Sequence, residues 1–147
     1  MIDSMKQFYT RQSANDGVRL PLTHPDGSES EHWICVRGVD SDHFRQAEMF
    51  AKRKAIEISM IENEVDRAEK SRDVELECLA SLVASWSFGE SVAGAAEFLK
   101  EAPQIADMIN RFAVKRAEFA AKKPMNSANG RKQRSSLKNV QKVQKSG

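Results

Sequence analysis

Residues that build catalytic or metal chemistry are scarce in this chain. There are two cysteines, three histidines and one tyrosine in 147 residues. Cys35 and Cys78 lie far apart, belong to no CxxC pair and have no histidine at ligand spacing, so a zinc ribbon is excluded. Two buried, reduced thiols are expected, because free cysteine packs as a small hydrophobe. His24, His32 and His43 fall on a turn, a strand start and a helix start, without a converging partner for metal binding or proton transfer. Neither a glycine-rich phosphate loop nor a nucleophile elbow occurs. Carboxylates sit beside Lys and Arg on helix faces, as in Glu48-Lys52 and Asp66-Lys70, the i,i+4 order of a solvated helix. The expectation is therefore a binding protein, not an enzyme, with no cofactor and no metal.

Long apolar runs are missing too. Nothing approaches the roughly 20 residues that span a bilayer, and Met1 to Gln12 lacks the apolar stretch of a secretory signal. A cytoplasmic protein without a membrane partner is predicted.

Acidic residues are absent from one end. Residues 1–121 hold all 21 Asp and Glu against 15 Lys and Arg, a net of −6, whereas 122–147 carry eight basic residues and no acid. Bulky apolar residues are few there, so the segment cannot bury enough surface to offset its ordering entropy. It reads as a disordered basic tail.

Three parts follow: a loose polar arm at 1–15, one globular domain at 16–121 and the tail at 122–147. Asn15-Asp16-Gly17 is a turn signal. Val18, Leu20 and Leu22 then alternate with Arg19, Pro21 and Thr23, the period of a half-buried strand, which Pro21 confines to a sheet edge. After the turn Pro25-Asp26-Gly27, His32 to Arg37 resumes as a strand, with Trp33 and Cys35 on one face and Ile34 and Val36 on the other. This hairpin, at 18–37, must pack on helices or find further strands, since two strands alone are marginal in water.

Between Val39 and Phe88 there is no glycine or proline. Asp40 or Ser41 can cap a helix at 41–62 with the inner stripe Phe44, Ala47, Ala51, Ala55 and Ile58, a period that Val65 continues beyond it. A bend near Asn63 or Ser71 would lead to a second helix at 72–88, with Leu76, Leu79, Leu82, Val83 and Trp86 on one face. Gly89 suits the position after a helix and Ser91 the next cap, for a short helix at 91–101. Pro103 suits the first turn of a final helix at 103–121, striped by Ile105, Met108, Ile109, Phe112 and Phe119. The fold class is α+β, mainly α: an N-terminal β-hairpin packed on a bundle of three to four helices.

The first long helix carries a second apolar stripe. Met49, Ile56 and Met60 lie at i, i+7 and i+11, with Arg53 among them. A helix apolar on two faces is either sandwiched in the fold or offers a contact surface, and methionine suits adaptable binding. The spacing leaves both options open.

Residues 8–112 resemble a family. Phe8-Tyr9-Thr10-Arg11, Ser13-Ala14-Asn15, Gly17, Leu20-Pro21-Leu22, Pro25-Asp26-Gly27, His32-Trp33, Arg37-Gly38-Val39-Asp40-Ser41 and Phe44-Arg45 are similar to the start of tail assembly chaperones of long-tailed bacteriophages. Leu82-Val83-Ala84-Ser85-Trp86-Ser87-Phe88 and Phe98 to Ala106 resemble that family's second signature. Gly89 departs from it, standing where relatives more often carry an acid, and nothing after Ala121 matches. The resemblance implies a late protein of the host cytoplasm, absent from the finished virion, that binds the tape measure protein and keeps it soluble. It also implies recruitment of the tail tube protein, in many relatives through a frameshifted longer form. Core and signature positions would be Trp33, Trp86, Phe88, Phe98, Leu99, Pro103, Ile105 and Ile109; the partner face would be Met49, Arg53, Ile56 and Met60. Two apolar helix faces would also permit self-association. The basic tail keeps a small nucleic-acid-associated protein as an alternative, although it lacks interleaved aromatics. A structural tail component is another.

Overall fold

The computed structural model describes residues 2–120; the tail expected at 122–147 lies outside them. In order, the elements are α1 (Ile2–Lys6), α2 (Arg11–Asp16), β1 (Val18–Thr23), β2 (Glu29–Val36), α3 (Asp42–Ile58), α4 (Glu64–Ala80), β3 (Val83–Trp86), α5 (Ala95–Glu101), α6 (Pro103–Ala113) and a 3-10 turn at Arg116–Phe119. The class is α+β, with the expected N-terminal hairpin and a mainly helical remainder.

Hairpin register follows the sequence pattern. Val18 pairs with Val36, Leu20 with Ile34 and Pro21 with Trp33, and β1 lies at the sheet edge, where a proline removes no ladder bond. Asp26 closes the turn by accepting from the backbone N–H and the hydroxyl of Ser28. Those bonds hold its carboxyl below the ordinary carboxylate range, while Gly27 takes the positive φ.

The second expected helix is corrected at both ends. It begins at Glu64, because Asn63 caps it by accepting from the N–H groups of Val65 and Asp66 at 2.9 and 3.0 Å. It stops at Ala80, so Val83 to Trp86 is not helix but a third strand. Leu76, Leu79, Leu82, Val83 and Trp86 fit a helical period, yet the open edge of β2 offers backbone bonds that a helix would leave unmet. β3 takes them, pairing Val83 with Val36, Ser85 with Cys35 and Trp86 with Ile34. Arg37 secures the junction: its guanidinium donates to the carbonyls of Ser81 and Val83, and its N–H to that of Leu82. Gly89 therefore follows a strand, bridged to Trp86, and Ser91 caps no helix. The last helix ends at Ala113, not 121, and Phe119 comes from the 3-10 turn.

The arm expected to be loose at 1–15 is instead two short helices. Ala14 is buried, and its carbonyl accepts from Gly38 N–H. Arg11 pairs with Asp42 at 2.8 Å, while the Asn15 side chain accepts from Asp42 N–H, one of the donors that a helix start leaves unpaired. Gly17 ends α2 at φ 85°, and a Cβ there would stand 2.8 Å from Cys35 Sγ. Position 17 needs glycine on both counts.

The core lies between the inner face of the sheet and the α5–α6 pair. Leu22, Ile34, Val36 and Val83 meet Ala95, Leu99, Ile105, Ala106, Ile109 and Ala113, with Leu82 closing the α4 side. Neither cysteine is fully buried as expected; both are half-buried and free.

Candidate partner-binding face

α3 is well specified at its ends. Ser41, itself buried, accepts from Phe44 N–H, and Asp42 places a carboxylate in the first turn, where the helix dipole favours it. Ser59 closes the other end by donating to the Ile56 carbonyl, and Arg67 pins the connection by donating to that of Ile61. Between those ends α3 packs chiefly against α4, which packs in turn against α5 on a smaller contact.

Neither long helix contains a fully buried residue. The inner stripe of α3 is only half-covered at Phe44, Ala47, Ala51 and Ile58. Ala55 and Val65, expected in that stripe, are exposed, Val65 at 69%. A groove between the helices is lined by Phe50, Ala51, Val74 and Cys78, and burial first, then the Glu48 carboxylate, pushes the Cys78 thiol up.

The second stripe does not pack under the hairpin. Met49 is 58% exposed, Ile56 66% and Met60 78%, with Arg53 also facing solvent and Met60 in the turn just past the helix end. Phe50, half-exposed beside the stripe, enlarges the apolar patch. It went unnoticed in the sequence, where it falls off the i, i+7, i+11 row; its size alone could have flagged it.

Charge on α3 is distributed unevenly. Arg45 pairs with Glu48 at 3.1 Å and with Asp40 at 2.9 Å, and Lys54 with Glu57 at 3.4 Å. The expected Glu48-Lys52 and Asp66-Lys70 pairs do not close among the described residues; Glu48 pairs with Arg45 instead, and the helix pairs that form are at i,i+3. Lys52 and Arg53 are left without a carboxylate partner among the described residues.

The signature positions divide into scaffold and surface. Leu99, Ile105 and Ile109 are core, and Pro103 is the exposed first residue of α6. Trp86, Phe88 and Phe98 form an aromatic cluster with centroids 5.2–5.7 Å apart, against which His32 stacks on Phe88 at 4.6 Å. Trp86, expected in the core, is half-buried on β3, and its indole N–H donates to the Ser91 carbonyl. Trp33 lies on the outer sheet face beneath the Arg19 guanidinium, 3.7 Å from its ring.

Among the described residues no group of three or more His, Cys, Asp or Glu is placed to hold a metal ion, and no helix is long and apolar enough to cross a membrane. The chain matches no family model, no curated protein and no solved structure.

Proposed function

We propose that this protein is a tail assembly chaperone of a long-tailed bacteriophage, acting by binding and not by catalysis. It holds the tape measure protein in the host cytoplasm, keeps it soluble, helps to recruit the tail tube protein and is left out of the finished virion. The observation that carries this reading is the exposed row Met49, Ile56 and Met60 on a helix with no buried residue. Such a row suits helix-on-helix contact with a long helical client, because methionine adapts its shape to varied apolar partners. The ordered resemblance over residues 8–112 supports the same reading.

Co-expression with the tape measure protein tests it. The parent keeps that protein in the soluble fraction, and Met49→Ser/Ile56→Ser/Met60→Ser does not. Equal solubilisation by parent and variant, or none by the parent, overturns the proposal. The basic segment 122–147 supports a second reading, binding of nucleic acid through phosphate contacts. Deleting it abolishes salt-sensitive DNA or RNA binding on that reading and leaves tail assembly intact on the first.

A further inference from the structure

The centre of the exposed face is cationic. Met49, Lys52, Arg53 and Ile56 stand at i, i+3, i+4 and i+7, with Met60 one turn further, so two cations occupy the middle of one apolar row. Glu48, one turn before Lys52, is engaged by Arg45, and Glu57, one turn after Arg53, by Lys54, so neither Lys52 nor Arg53 has a carboxylate partner among the described residues. An all-apolar helix laid on this row would strip water from two charges and return nothing for them. A second copy of α3, crossed antiparallel about the middle of the row, would set these cations against their own copies. Carboxylates opposite the centre satisfy both constraints.

We infer that the occupant of this face is an amphipathic helix of the partner protein with Asp or Glu at the middle of its apolar stripe and aliphatic residues one turn to either side. Its outer residues cover Met49, Ile56 and Met60, while its carboxylates meet Lys52 and Arg53, whose aliphatic stems extend the apolar contact. The inference rests on the chaperone reading for the partner's identity, but its chemistry stands on α3 alone.

Two synthetic helical peptides serve as probes, identical in their leucine stripe and differing in a central Glu pair or Lys pair. Fluorescence anisotropy follows their titration with the full chain at about 0.15 M salt, where charges beyond a Debye length are screened. The Glu peptide binds roughly tenfold or more tightly than the Lys peptide. Lys52→Glu/Arg53→Glu, both exposed, reverses that preference with an unchanged circular dichroism spectrum. Arg131→Glu/Lys132→Glu/Arg134→Glu, in the basic segment, leaves it unchanged. Equal binding of the two peptides, binding of neither, or loss of preference in the 131–134 variant in place of the α3 variant overturns the inference. Co-expression separates its failure from that of the chaperone reading. A Lys52→Glu/Arg53→Glu variant that still solubilises the tape measure protein sinks the acidic helix and keeps the chaperone. The α3-dependent Glu-peptide preference, with no tape measure solubilised by the parent, does the reverse.

Discussion

Replacing Met49, Ile56 and Met60 together by serine separates a contact surface from a core. At 58%, 66% and 78% exposure, these side chains already have most of their area in water. Surface substitutions of this kind each change stability by about 0.5 kcal/mol or less. The poorer helix propensity of serine adds a few tenths of a kcal/mol at 49 and 56, within α3. The sum is about 2 kcal/mol at most, a fall in Tm of under about 8 °C for a domain of this size. Leu99→Ala is the internal standard. Leu99 is 1% exposed in the centre of the core, so its truncation costs about 3–5 kcal/mol and more than about 12 °C. Thermal unfolding followed by circular dichroism, on both variants in one buffer, reads the difference. A triple variant that melts as low as Leu99→Ala, or without a cooperative transition, would show that the stripe is packed and refute the binding-face argument.

Gly17→Ala combines a positive φ and an extended ψ, 85° and 165°, a region essentially restricted to glycine and costing about 1–3 kcal/mol, with crowding against Cys35 Sγ that adds about 1–3 kcal/mol. In a Cys35→Ala background the clash with Sγ is relieved, leaving the backbone cost and a 3.2 Å approach to the Val36 carbonyl oxygen, so urea titration of the four-member cycle gives a clear coupling; purely additive losses would contradict it. Asp40 accepts from Arg116 and Arg45, and the Arg116 hydrogen bond foremost holds its carboxyl below the ordinary carboxylate range. A depressed folded pKa contributes stability above the unfolded value, near 4, and loses it as pH falls through the folded value. Asp40→Asn therefore lowers Tm at neutral pH, and the gap to the parent closes in acid; a gap that is constant with pH would refute the linkage.

The hairpin was legible because its signals are local. Alternation set the face of Ile34 and Val36, Pro21 placed β1 at the edge, and Pro25-Asp26-Gly27 located the turn. Ser41 and Pro103 likewise marked helix starts through their own side-chain chemistry, whereas Asn63 marked a bend without revealing that the next helix starts there. β3 was not legible, since Val83 to Trp86 satisfies a helical period as well as a strand, and only the unfilled edge of β2 decides between them. The docking of α2 was hidden for a similar reason: Arg11 and Asn15 find Asp42, 31 and 27 residues away. Of the candidate site, the row on α3 could be read from spacing, but its exposure could not. Nor could the state of Lys52, which depends on Glu48 choosing Arg45.

The exposed row behind the proposed binding face also leaves α3 short of burial. Most helix stability in proteins comes from packing an apolar stripe and not from intrinsic propensity. α3 and α4 have strong caps and a half-covered contact with each other, but neither adds a side chain to the fully buried core. A partner helix seated on Met49, Ile56 and Met60 would supply the missing burial, and anything that binds only the folded state stabilises it by mass action. Client binding and completion of the helical hairpin are then one event. On the proposed reading, Met49 and Ile56 on α3 and Met60 just past its end stay in water until the partner covers them.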